Sequence, residues 1–313
     1  MTSRAPRAAV GAAFPALAAR PRLAALLAAA SLSFSGIFYR LAHVSPETAS
    51  FFRALYGLPL LLAATVIERR IAGPLPRRER LLAAAAGVFF AADVLLWHHS
   101  IDAVGAGLAT VLGNLQVVVV ALVTWLLFGE RPPERTLAAL PIVLAGVVLI
   151  GGVLGGGTYG ADPPLGVALG ILTAISYAGY LILIRRVGRR HTAEPIAIST
   201  ASTALVALAV GVAVGRLDIV PSLPAHAWLV LLGLTAQSAG GLLITLSLPR
   251  LPAVVTSIIL LAQPVMSVVL AMLLLGEAPS PGQLLGVGLV LAGIAVATVN
   301  VPGRRISRPA TAV

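Results

Sequence analysis

The chain has no cysteine and no lysine in 313 residues, and only 11% of its residues are charged. Without cysteine, disulfides, thiolate chemistry and cysteine-based metal sites are excluded. Without lysine there is no G-x-x-x-x-G-K-[ST] loop, which excludes nucleotide-driven pumping by this chain. Soluble domains carry about 25% charged residues. That deficit, with 58% hydrophobic residues and a mean hydropathy of +0.99, marks an integral membrane protein. Acidic residues are scarce too, 11 against 22 arginines, for a net charge of +11. The arginines sit in short loops between apolar runs rather than along one face, which suits topology marking and argues against nucleic acid as a partner.

Apolar runs long enough to cross about 30 Å of hydrocarbon fall near 23–41, 47–67, 81–99, 104–128, 136–154, 164–184, 195–214, 227–248, 253–275 and 283–300. Only helices satisfy the backbone of such runs in lipid. The expected fold is therefore all-α, with ten transmembrane helices. The break between the third and fourth runs, His98 to Asp102, is short. The stretch before residue 23, with Arg4, Arg7, Pro15, Arg20 and Arg22, reads as a tail before the first helix, with a cleaved signal peptide as the alternative. Residues 301–313 form a second tail.

Alternate connecting segments hold four, five, two, four, one and three arginines, nineteen together. The opposite set holds Arg40 and Arg216, while Arg53 lies within a run. This bias places both termini in the cytoplasm of a plasma or inner membrane protein.

Residues 106–148 recur without a gap 147 positions later, at 253–295. Gly129, Glu130, Pro132, Leu137, Ala145 and Gly146 fall on Gly276, Glu277, Pro279, Leu284, Ala292 and Gly293, and Gln116 falls on Gln263. Two units, 23–154 and 164–300, follow. Five spans per unit is an odd number, so the second copy enters the membrane from the other side. Inverted repeats underlie alternating access in many secondary transporters, with substrate near the midplane.

Two five-helix units that each close with G-E-x-P (129–132 and 276–279) and then an Ala-Gly-containing helix resemble the EamA family of the drug/metabolite transporter superfamily. The segment SPETASFFRALYGLPLLL (45–62) resembles that family's first repeat, and the second repeat has no arginine matching Arg53. The resemblance covers about 23–300. It implies movement of small metabolites, often export, with helices 1, 3, 4, 6, 8 and 9 around a central cavity.

Polar residues inside the runs are the candidate site. Gln116 and Gln263 occupy equivalent mid-span places, where hydrocarbon satisfies none of their amide groups. They read as a substrate-facing pair or as interhelical hydrogen bonds. Asn114 lies one turn from Thr110. Thr256, Leu260, Gln263 and Ser267 make a partly polar stripe, with Pro264 beside it. Ser176, Tyr177 and Tyr180 on the sixth span, and Gln237, Ser238 and Thr245 on the eighth, are further lining candidates under the resemblance. Arg53 and Asp93 are the clear intramembrane charges, each about 10 Å from the external end by helical rise. They form either an ion pair or a coupling site. His98, His99 and Trp97 read as interfacial, and no metal site or cofactor is expected. Glycine pairs Gly151/Gly155, Gly166/Gly170 and Gly282/Gly286 permit close packing, within one chain or in a homodimer.

The favoured expectation is a secondary transporter of a small organic metabolite such as an amino acid or an amphipathic compound. A non-transporting scaffold or sensor, and a membrane-embedded enzyme, are the other classes. No catalytic set stands out for the enzyme.

Overall fold

The computed structural model describes residues 20–129, 131–152, 158–187, 191–247, 251 and 253–298. The described residues are helical with turns between. α1 (Pro21–Ala42) is broken at Phe34. α2 spans Pro46–Ala72 and α3 Arg77–Val104. α4 (Ala106–Phe128) is interrupted between Gly113 and Gln116. α5 covers Glu134–Ile150, α6 Pro163–Ile184 and α7 Ala193–Ala213. α8 runs as Leu223–Leu231, a π-helical stretch Leu232–Gly240 and Gly241–Ser247. α9 is Ala253–Leu275 and α10 Pro281–Thr298.

Among the described residues eight helices are long and apolar enough to cross a membrane: α1 to α4, α6 to α8 and α10. α5 has 17 residues, and the described apolar stretch of α9 is Leu261–Leu275. Large apolar side chains such as Leu126 (81% exposed) and Leu273 (75%) point outward, as a lipid-facing surface requires.

Local chemistry sets the helix ends. Ser45 caps α2 by accepting the Thr48 N–H, and Pro46 occupies the first turn, where its missing N–H costs nothing. Asp162 and Ser222 cap α6 and α8 in the same way. α4 ends at Gly129 (φ 70°) and α9 at Gly276 (φ 67°). These repeat mates both terminate a helix in the left-handed conformation that glycine adopts without a Cβ clash.

The break expected at 98–102 lies elsewhere. α3 continues through His98 and Asp102 and stops at Gly105 (φ 92°). The polar residues do not end the helix because they find partners: His98 bonds Ser50, His99 bonds Glu47, and Tyr39 donates to Asp102. His98 and Trp97 are therefore not interfacial, being 0% and 9% exposed.

The 147-residue offset also relates helix starts: α2 to α7 (46 and 193), α4 to α9 (106 and 253) and α5 to α10 (134 and 281). Packing follows the same exchange. α3 lies along α6 as α8 lies along α1, and α2, α4 and α5 pack on α7, α9 and α10. The partners run antiparallel. The start of α4 meets the turn after α9, and the end of α2 meets the start of α7. α5 and α10 cross where a Cβ on Gly146 or Gly286 would lie 2.6 Å from the other's carbonyl oxygen. Gly166 and Gly170 likewise meet Val104 and Leu112 of the same chain, so these glycines serve internal packing. Gly155 lies outside the described residues.

Candidate functional site

Two glycines let α8 approach α2 closely. A Cβ on Gly57 would stand 2.7 Å from Gln237 Cγ, and one on Gly233 would stand 2.9 Å from the Arg53 carbonyl oxygen. Ser238 fastens this contact by donating to the Gly57 carbonyl at 2.7 Å and the Gly233 carbonyl at 3.1 Å. The hydroxyl of this lining candidate is thus spent on helix packing.

The approach places Gln237, in the π-helical stretch, beside Arg53. Such stretches change the side-chain register of a helix and recur at functional sites. Arg53 Nε donates to Gln237 Oε1 at 3.1 Å, and Gln237 Nε2 donates to Thr200 Oγ1 at 2.9 Å. The relay links α2, α8 and α7 across both halves of the chain. All three residues are buried: Arg53 8% exposed, Gln237 6% and Thr200 0%.

Aromatic rings surround the guanidinium. Arg53 Cζ lies 5.9 Å from the Phe90 ring centre and 5.6 Å from that of Trp97, within cation–π range. Phe90 meets Tyr180 at 5.0 Å and Tyr177 at 6.1 Å, and Tyr180 reaches Ser199 on α7. Asp93, one turn from both Phe90 and Trp97, completes the group. Coulombic attraction links it to Arg53, but the two make no ion pair within 4 Å among the described residues. Arg53 Nε bonds Gln237 instead, and the ion pair considered from sequence is not among the contacts of the described residues. Asp93 lies about 16 Å along α3 from its end at Val104.

Arg53 and Asp93 thus share one buried cluster with the rings of Phe90, Trp97, Tyr177 and Tyr180. The arrangement suits a ligand with both charges and an apolar or aromatic body. Among the described residues no group of three or more His, Asp or Glu is placed to hold a metal ion.

The other candidates make no hydrogen bond to this cluster among the described residues. Asn114 Nδ2 donates to the Thr110 carbonyl, one turn back in α4. Gln116 and Gln263 are half-buried, and no hydrogen bond joins them. The Gln263 carbonyl accepts from Ser33 Oγ, and Ser267 Oγ donates to the Ser33 carbonyl, stapling α9 to α1 at its break. Ser176 is half-buried on α6. The side chains of Thr245, Thr256 and Leu260 lie outside the described residues.

Four glutamates outside the mid-span candidates are buried near helix ends: Glu47, Glu68, Glu194 and Glu277, none more than 3% exposed. Glu68 accepts three N–H groups, from Thr192, Ala193 and Glu194, closing the start of α7. Glu194 accepts from Arg69 and from the Leu75 N–H. The signal for them was present, since Glu47 and Glu194, like Glu130 and Glu277, stand 147 residues apart.

No curated protein matches the chain. A solved structure described as "Crystal structure of protein" is similar in fold, with 21% sequence identity, a TM-score of 0.62, and 90% of this chain and 96% of that one covered. The model of the EamA-like transporter family matches residues 21–152 and again 164–299. Spanning the membrane several times and matched by that model in both halves, the chain belongs to the EamA-like transporter family of the drug/metabolite transporter superfamily.

Proposed function

We propose that this protein exports a small zwitterionic metabolite, such as an amino acid with an apolar or aromatic body, by alternating access around Arg53 and Asp93. The reading takes ten spans as two inverted five-helix repeats in a plasma or inner membrane, with both termini cytoplasmic. The antiparallel packing of α2 and α4 on their repeat mates α7 and α9 supports inversion, and the arginine bias supports the orientation.

One observation carries the substrate reading. The buried Arg53–Gln237–Thr200 relay lies within Coulombic reach of Asp93 among aromatic rings, in apolar spans where a lone charge costs on the order of 3 kcal/mol. Arg53 engages Gln237 through Nε, which leaves the two terminal nitrogens to receive a carboxylate. Asp93 then faces the ammonium group. Binding substrate compensates both charges at once and screens them during the transition between states.

Flux into proteoliposomes over a panel of zwitterionic, anionic and cationic amino acids and amines tests this. Zwitterions with an apolar side chain are the expected substrates, and Arg53→Gln abolishes their flux. Flux of amines alone, unchanged in Arg53→Gln, contradicts it.

A further inference from the structure

We infer that Glu277 is a latch that holds the external mouth of the transporter closed, and that its release is a step of each transport cycle. This rests on the alternating-access reading above and adds a named positioning residue to it.

Glu277 lies in the G-E-x-P turn after α9 and is 3% exposed. Its Oε1 accepts the Ala106 N–H at 2.6 Å, and its Oε2 accepts the Gly107 N–H at 3.1 Å. One carboxylate therefore closes the first turn of α4, whose amides have no partner within the helix and carry the positive end of its dipole. The approach depends on Gly105, where a Cβ would stand 2.8 Å from Glu277 Oε2. Just inside, the two repeat mates touch backbone to backbone: a Cβ on Gly107 would lie 2.9 Å from Val268 Cα. Arg40 and Tyr159 flank the carboxylate from α1 and the segment before α6.

The contact is tight at this end: every residue from Ala106 to Leu112 is buried, whereas from Gln116 to Phe128 only Val118 is. α4 changes course between them, at Asn114 and Leu115. Opening the mouth separates α9 from the start of α4, so both hydrogen bonds of Glu277 must break. By the repeat, Glu130 holds the equivalent place in the sequence at the opposite face, and its substitution is expected to bias the protein the other way.

The absence of cysteine makes a single-cysteine reporter clean. Gly113→Cys suits it, because a Cβ there makes ordinary contacts of 3.7 Å with Trp97 and Thr173, beside the Arg53 site. In oriented proteoliposomes its labelling by a membrane-impermeant maleimide from the external face reports opening. Adding Glu277→Ala is expected to raise that rate about tenfold, the scale of one charge-assisted hydrogen bond. Ala106→Pro removes only one donor, at a first-turn position where proline fits, and is expected to raise it as well. Glu277→Gln keeps one acceptor oxygen but sets an NH2 donor against the second amide, so it raises the rate by less than Glu277→Ala does, and Glu130→Ala lowers it. An external rate unchanged in Glu277→Ala overturns the latch; if that variant does not fold, an unchanged rate in Ala106→Pro does so alone. Labelling needs no substrate, so a latch that responds in a protein without zwitterion flux sinks the functional reading and not this one. Flux with no labelling response does the reverse.

Discussion

Arg53 and Thr200 hold one place in the two halves of the molecule, seven residues into α2 and α7 and 147 apart. Their surroundings match. Each helix begins beside a buried glutamate, Glu47 or Glu194, and the two helices pack on each other antiparallel. Yet one residue is a buried cation and the other a hydroxyl, with Gln237 bonded to both. On the proposed function, the duplicated scaffold supplies two helices that exchange roles between states, and the departure from symmetry supplies the charge that reads a substrate. Function is expected to follow the asymmetric residues, and folding the symmetric ones.

Making the halves alike at this point is the strongest break. Arg53→Thr or Arg53→Gln leaves Asp93 buried without its cation, and flux of the preferred zwitterion is expected to fall by about a hundredfold or more, because an unpaired buried charge costs several kcal/mol. The variant should still insert and purify as a folded protein. Asp93→Asn tests binding and coupling together: flux down a substrate gradient persists with a raised KM, because the ammonium loses its partner, while stimulation by a pH gradient disappears. Stimulation by a pH gradient left unchanged in Asp93→Asn would place the coupling elsewhere.

Gln237→Ala acts next. Removing the bridge frees Arg53 without deleting it, so KM is expected to rise about tenfold with little change in kcat, in line with the loss of one hydrogen bond to a charged group. A fall in kcat alone would move Gln237 from binding to the conformational step. On the symmetric side, Glu68→Ala orphans three amides at the start of α7 and is expected to lower Tm by several degrees, about 2 kcal/mol, with the zwitterion KM unchanged.

Much of the scaffold was legible because it repeats. Equal spacing of the G-E-x-P turns marked the duplication, and the family model matches both halves. The site was legible in part. Arg53 and Asp93 stood out as charges in apolar runs, and Tyr177, Tyr180 and Gln237 were among the candidates. What joins them was not, because the Arg53–Gln237 bond depends on how closely α2 and α8 approach at Gly57 and Gly233, and on the π-helical register that aims Gln237. The run His98 to Asp102 misled for a related reason. Five residues that look like a loop stay helical once Ser50, Glu47 and Tyr39 answer their polar groups.

The smallest expected effect is a pH response at the latch. Burial pushes the Glu277 carboxyl above the ordinary carboxylate range, against the pull of the Ala106 and Gly107 amides and the charge of Arg40, with Tyr159 the other facing group. A carboxyl raised in the closed state relative to the open one binds its proton more tightly when closed. Falling external pH therefore favours closure through that titration, and the effect is lost as pH rises above it. External labelling of Gly113→Cys should slow modestly toward acid pH beyond what the Glu277→Gln background shows.

Sidedness of access to the Arg53 site tests the central claim most directly. In oriented proteoliposomes, Gly113→Cys should be labelled from the cytoplasmic face in the parent and from the external face once Glu277→Ala is added. A transported zwitterion should slow labelling from whichever face is open. Labelling from one face alone in both proteins, indifferent to substrate, would contradict an alternating-access carrier built around Arg53 and Asp93.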